Sequence, residues 1–296
     1  MSRYKVIIFF IGMIWINLEE ATAVHFFPEE DTEFGVRATH PGLRIEDDLS
    51  VPDPVEDGKI PTLNQTGFMT PDQSVYNEAF LDMIRRYVES GQPPRVLDIG
   101  AAYGITSIPA LELGAKVVAN DIDERHLLLL REKVPALLRE NLILNKHSFP
   151  NEAIFPADSF DIILLCRVGH FFTGEEMESS ILKAYSWLKP GGSFIITTLS
   201  PYHHIITEFL PVYQKRAESG APWPGMIDNM HEFAPHLKDK IPNFLHVMDR
   251  DSLGVALEKY NFTIRQEGRF DYMRPKAKKS DGQGYYGVIA QKPATA

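Results

Sequence analysis

The chain of 296 residues has one cysteine, Cys166, so it forms no internal disulfide and its core must hold by packing. Positive charge is scarce: 30 lysines and arginines face 40 aspartates and glutamates, a formal net charge of −10. A protein that neutralises phosphates over a broad face needs the reverse balance. No nucleic-acid partner is therefore expected. The four cations in 274–279 read as a solvated loop between strands. No apolar run reaches the roughly 20 residues of a membrane-spanning helix. Compact His and carboxylate sets at ligand spacing are also missing, and no metal is expected. His203 and His204 are adjacent, and neighbouring side chains rarely converge on one ion. Internal repeats and long low-complexity tracts are absent. Hydrophobic content of 44% and charged content of 24% describe an ordinary globular protein.

The most informative stretch is Val96-Leu97-Asp98-Ile99-Gly100-Ala101-Ala102-Tyr103-Gly104. Val96, Leu97 and Ile99 suit a buried parallel strand. Gly100 and Gly104 bracket a tight loop where a ligand can approach the main chain, and a helical pattern follows from Ile105. A second apolar run, 115–119, ends in Asn120-Asp121. A carboxylate at the tip of that strand is placed to accept hydrogen bonds from a ribose diol. The pattern predicts a nucleotide-cofactor site at the carboxyl ends of parallel strands. Pyrophosphate cofactors want Gly-x-Gly-x-x-Gly at a helix N-terminus. Here the loop is Gly-x-x-x-Gly, and Asp98 would repel a phosphate. S-adenosylmethionine carries a sulfonium and an ammonium and no phosphate, so an acidic first loop favours it.

These residues resemble the first motif of the class I S-adenosylmethionine-dependent methyltransferases. Phe160–Cys166, entered by a Ser-Phe-Asp step, is similar to that family's fourth strand, and Leu-Lys-Pro-Gly-Gly-Ser-Phe-Ile-Ile (188–196) to its connection into the fifth. Lys189-Pro190-Gly191-Gly192 is expected to stop the helix of 175–188, with glycine as its left-handed cap. The resemblance covers 70–200 and resumes at 249–269 and 285–291. It implies an α/β, Rossmann-like sheet of seven mostly parallel strands, the last antiparallel, with Val96–Ile99 central. It also implies cofactor contacts by Asp98, Gly100, Ala101, Gly104, Asp121, Ile122 and Arg167, Ile122 packing on the adenine ring. Arg167 reads otherwise as a clamp for a substrate anion or as a surface residue. His170, at the end of the fourth strand, is the candidate base, since imidazole has a suitable pKa; a structural histidine capping the loop is the alternative. Many relatives place an acid after the third strand for the adenine amino group. This chain has Lys146-His147-Ser148 there, so His147, Ser148 or a carbonyl would serve instead. The loop after the fourth strand lacks Asn-Pro-Pro-Tyr or Asp-Pro-Pro-Tyr, which disfavours methylation of nucleic-acid bases.

Flanking segments complete the reading. Arg3 and Lys5, the apolar stretch 6–18 and Ala21-Thr22-Ala23 match a secretory signal peptide over 1–23. Export is the expectation, with a cytoplasmic protein the alternative, and no membrane span would remain after cleavage. Residues 24–67 form a polar, acidic arm with five prolines, expected to be extended. The domain proper is 68–293. Its first helix is expected to open at Thr70 as N-cap with Pro71 next, its stripe running through Val75, Ala79, Phe80, Met83, Ile84, Tyr87 and Val88. About fifty residues, 200–249, are not needed by the minimal fold and are rich in aromatics and histidines. They are expected to be a lid, with Tyr202, His203 and Trp223 against an acceptor with an apolar body. The leading expectation is a methyltransferase acting on a small or lipid-like molecule. A non-catalytic binding module, and an aminopropyl transferase or dehydrogenase on a related sheet, remain as alternatives. The oligomeric state is open.

Overall fold

Alternate residues of the central strands face two different cores. Leu97, Ile99, Val118, Ile163 and Leu165 enter one, and Val96, Val117, Ala119, Ile162 and Leu164 the other. Strands buried on both faces are what unbroken Val, Ile and Leu runs dictate in a parallel sheet. The computed structural model describes residues 27–55, 58–70, 74–238, 240–272 and 281–294. The expected signal segment 1–23 and the basic loop 274–279 lie outside the described residues.

In chain order the elements are β1 (Val36–Arg37), β2 (Ile60–Pro61), β3 (Phe68–Met69), α1 (Val75–Glu89), β4 (Arg95–Ile99), α2 (Ser107–Glu112) and β5 (Lys116–Asn120). Then come α3 (Glu124–Lys133), β6 (Leu142–Asn145), β7 (Phe160–Cys166), α4 (Gly174–Trp187), β8 (Leu188–Leu199) and α5 (Leu210–Glu218). The chain continues as β9 (Met226–Ile227), α6 (Met230–Phe233), β10 (Leu245–His246), α7 (Val255–Lys259), β11 (Thr263–Phe270) and β12 (Tyr285–Gln291). The main sheet runs β1-β6-β5-β4-β7-β8-β12-β11. Strands β6, β5, β4, β7 and β8 are parallel, and β12 is antiparallel to both β8 and β11. Strand order reverses on either side of β4, the switch point where such sheets open a ligand crevice. Seven strands follow expectation. The eighth, β1, comes from the N-terminal arm and pairs antiparallel with β6.

That arm is extended but not loose. Phe34 is buried against the rings of Phe155 and Phe160. Asn145 Nδ2 donates to Phe34 O at 3.0 Å and Arg131 Nε to Ala38 O at 2.7 Å. The hairpin β2–β3 then folds over the carboxyl end of the sheet.

Two local expectations are corrected. Helix α1 begins at Val75, with Ser74 as N-cap accepting from Asn77 N at 3.3 Å, not at Thr70; residues 71–73 lie outside the described set. Val75 is accordingly exposed, and Tyr76, Phe80 and Ile84 form the buried stripe. Helix α4 ends at Trp187 and strand pairing resumes at once, Leu188 opposite Phe160. Gly191, at φ +82°, therefore serves a turn inside the strand entry and not the helix cap. Asp161 explains why: its carboxylate takes Lys189 Nζ at 2.9 Å on both oxygens and Arg95 N at 2.8 Å.

Residues 200–249 pack around a core of their own, including Ile206, Phe209, Tyr213, Ile227, Met230 and Leu245. No helix among the described residues is long and apolar enough to cross a membrane.

Candidate active site

The turn after β4 is built by backbone that only small residues tolerate. Gly100 has φ +72°, and a Cβ there would lie 2.3 Å from Val168 Cγ2. Ala102, at φ +44°, aims its N–H at Asp121 Oδ2, 2.9 Å away. The first loop and the tip of β5 thereby hold each other. Asp121 Oδ1 also accepts from Asp123 N at 2.9 Å and pairs with His126 Nδ1 at 3.0 Å. Three of a carboxylate's roughly four acceptor positions are thus occupied by protein. A diol at Asp121 would share Oδ2 with the Ala102 N–H or displace it. His126 lies five residues beyond Asp121 on α3, and nothing in the sequence marked it as a partner.

Asp98 is buried at the end of β4 and accepts from Ser107 Oγ at 2.7 Å. Burial pushes its carboxyl up to about 6; the Ser107 bond opposes this and Asp121 adds to it. A buried carboxylate without a cationic partner suits a ligand bearing positive charge, so the residues fit S-adenosylmethionine. Asn120 fixes the neighbouring strand ends, donating to Asn145 Oδ1 at 2.8 Å and His147 O at 2.7 Å.

Asp98, Gly100, Ala102, Asn120, Asp121 and His126 line one cavity of about 620 Å³. Ala101 and Ile122 belong to the same wall. Arg167, His170, Phe171, Tyr272 and Tyr285 also line it, with His203, Ile205, Leu237, Ile241 and Leu245 from the segment 200–249. Phe68 and Met69 of the arm hairpin close the side. Gly104 stands behind the wall, where a Cβ would meet Leu130 at 2.8 Å. Ile122 is 67% exposed at the cavity, an apolar side chain with no protein cover.

Other expected residues fall elsewhere. Tyr202 lies in a separate surface cleft with Arg269, whose guanidinium carbon is 4.4 Å from the Tyr202 ring centre. Trp223 is buried against Gly174 and the ring of His246, a packing position outside the cavity. Its aromatic character answers to the lid's docking onto α4. His147 and Ser148 do not line the cavity, whereas Phe149 does. Cys166 reaches the wall with its thiol pushed up to about 12, chiefly by burial, and is unreactive. Among the described residues, no three His, Cys, Asp or Glu side chains converge as a metal set.

His170 is in the cavity wall, but its chemistry differs from expectation. Burial first, then the Arg167 charge and His203 and His246, push it down to about 3. It is neutral at ordinary pH and a weak proton acceptor. Its Nδ1 is buried without a partner. A bare lone pair is less costly to bury than an orphaned N–H, so the proton belongs on Nε2.

The methyltransferase-domain family model matches residues 73–267, more than half of the chain. An S-adenosylmethionine-dependent methyltransferase from Mesorhizobium loti shares the fold at TM-score 0.52 and 19% identity, over 71% of this chain and 99% of that one. A Listeria monocytogenes protein described as a possible enzyme of the same kind gives TM-score 0.51 and 18% identity, over 74% and 99%. The Burkholderia thailandensis 1,6-didemethyltoxoflavin-N1-methyltransferase, solved with its substrate and S-adenosylhomocysteine, gives 0.50 and 19%, over 74% and 79%. No curated protein matches the sequence. With the family model laid over the same strands, loop and lid that form the cavity, the chain belongs to the S-adenosylmethionine-dependent class I methyltransferases.

Proposed function

We propose that this methyltransferase acts on a small molecule with an apolar body. One cavity carries the reading: the acidic motif and the apolar Ile205, Leu237, Ile241 and Leu245 line the same space of about 620 Å³. That volume falls in the range of roughly 300–1,000 Å³ typical of small-molecule sites.

S-adenosylmethionine, when bound, supplies a methyl group already activated on a sulfonium. The protein's work is to bind, align and exclude water. Asp121 holds the ribose, Asp98 offers negative charge, and Gly100 and Ala101 let the main chain approach. Ile122 gains apolar cover from the adenine ring. Phe68, Met69 and the lid shut out solvent. The N-terminal segment 1–23 is proposed as an export signal, tested by whether the mature chain begins at Val24.

Methyl-labelled cofactor incubated with the protein and a cell extract tests the reading. Label is expected in small molecules that partition into organic solvent. Label found only in protein or nucleic acid overturns it.

A further inference from the structure

The cavity wall around Arg167 carries hydrogen-bond donors, one of which, Arg167 Nε, has no acceptor. Arg167 ends β7 with a left-handed backbone, φ +61°, a conformation that costs energy for a side-chain-bearing residue. Its guanidinium is held in place. One Nη donates to Phe68 O at 3.2 Å, and its carbon lies 5.3 Å and 5.9 Å from the ring centres of Tyr272 and Tyr285. Its Nε is buried with no partner. Among the described residues, no carboxylate lies within ion-pair distance of it. A half-buried cation with a buried, unpartnered N–H and no counter-ion is costly.

Two histidines beside it are donors as well. His170 carries its proton on Nε2, as argued above. His203 Nδ1 accepts from Ile205 N at 3.3 Å, which places its proton on Nε2 too. Both are buried and neutral, so neither adds a competing negative charge. The acid on this side, Asp271, spends its two oxygens on the N–H groups of Gly282 and Gly284, each at 2.9 Å. The cavity wall thus carries the carboxylates Asp98 and Asp121 at the tips of β4 and β5, and a cation and two imidazole donors in the segments after β7 and β8. The apolar residues Ile205, Leu237, Ile241 and Leu245 line the same cavity.

We propose that the acceptor is the anion of an apolar carboxylic acid, its oxygens met by Arg167, His170 and His203 and its body lying against Ile205, Leu237, Ile241 and Leu245. This rests on the small-molecule methyltransferase reading above and names the acceptor's class. It also changes two roles. Arg167 serves the acceptor and not the cofactor, and His170 is a donor that orients the acceptor instead of a base.

The test uses the full chain saturated with S-adenosylhomocysteine and titrated in a calorimeter. Benzoate, hexanoate and decanoate are each compared with the matching primary amide, which keeps shape and removes charge. Carboxylates are expected to bind at least tenfold tighter than their amides, and more tightly with apolar length. Arg167→Gln is expected to erase the preference while changing S-adenosylhomocysteine affinity less than threefold. Equal binding of acid and amide by the unaltered protein overturns the proposal, whatever the variant's folding. A tenfold loss of S-adenosylhomocysteine affinity in Arg167→Gln also overturns it, because the guanidinium would then hold the cofactor. Failure of the unaltered protein to bind S-adenosylhomocysteine is a different result, and it removes the methyltransferase reading beneath.

Discussion

The ring of His126 joins the N-terminal arm to the carboxylate of Asp121. Leu63 N donates to its Nε2 at 3.0 Å, so its proton sits on Nδ1 and is donated to Asp121 Oδ1 at 3.0 Å. Tyr103 adds a second tie, its hydroxyl donating to Pro61 O at 3.0 Å while its ring packs edge-on against His126. The hairpin that closes the cavity is thereby fastened to the residue proposed to hold the ribose.

His126→Phe keeps a ring of similar size and removes both hydrogen bonds. S-adenosylhomocysteine affinity is expected to fall by about 1–2 kcal/mol, and protease cleavage within 58–67 to quicken. Calorimetry and limited proteolysis check the two effects, and an unchanged cleavage rate would show that the hairpin is held by other contacts.

Asp98 predicts a trade between stability and binding. Its folded-state value of about 6 exceeds the ordinary carboxyl value of 3.8, so the folded protein holds the proton more tightly. Stability from this group is full below pH 4 and is lost as pH rises through 6. Asp98→Asn should therefore stabilise the ligand-free protein at pH 7–8 by about 1–3 kcal/mol and weaken cofactor binding. Urea unfolding of both proteins at pH 4.5 and 7.5 measures it; an equal difference at the two pH values would contradict it.

Buried histidines set the acid limit. His170 and His203 are pushed down to about 3, and His246 to about 4, each chiefly by burial. All three stay neutral in the fold but protonate near 6.5 when unfolded. Their stabilisation is complete above pH 6.5 and declines as pH falls towards 3–4. Up to three protons taken up on unfolding give a slope of at most about 4 kcal/mol per pH unit. Chemical denaturation between pH 4.5 and 6.5 reads the slope, which His246→Gln should lower.

Gly100→Ala forces a Cβ to within 2.3 Å of Val168 Cγ2 at φ +72°. A cost of about 1–3 kcal/mol is expected, with cofactor affinity lost alongside. Adding Val168→Ala should recover part of the stability, since the contact is relieved and the backbone strain is not. Thermal melts of the single and double variants decide this.

Trp223→Ala should cost about 3 kcal/mol of stability and leave the acceptor's KM within twofold, because the ring packs on Gly174 and His246 outside the cavity. A KM shift without loss of stability would return Trp223 to the acceptor site.

The sequence alone determined the sheet. Runs such as 96–99 and 160–166 have too few polar residues to face water on either side, and their spacing by helical patterns leaves a parallel, doubly covered sheet as the way to bury them. It also determined the acidic turn proposed to hold the cofactor, because Asp98, Gly100, Gly104 and Asp121 sit on main-chain turns and strand tips whose positions follow from local chain geometry. The tertiary structure alone decided which distant side chains share a wall. His126 reaches Leu63 across 63 residues, Arg167 reaches Phe68 across 99, and Trp223 turns away from the cavity that its composition suggested. It likewise decided the character of His170. An imidazole's basicity depends on water and on neighbouring charge, and only the folded chain fixes both.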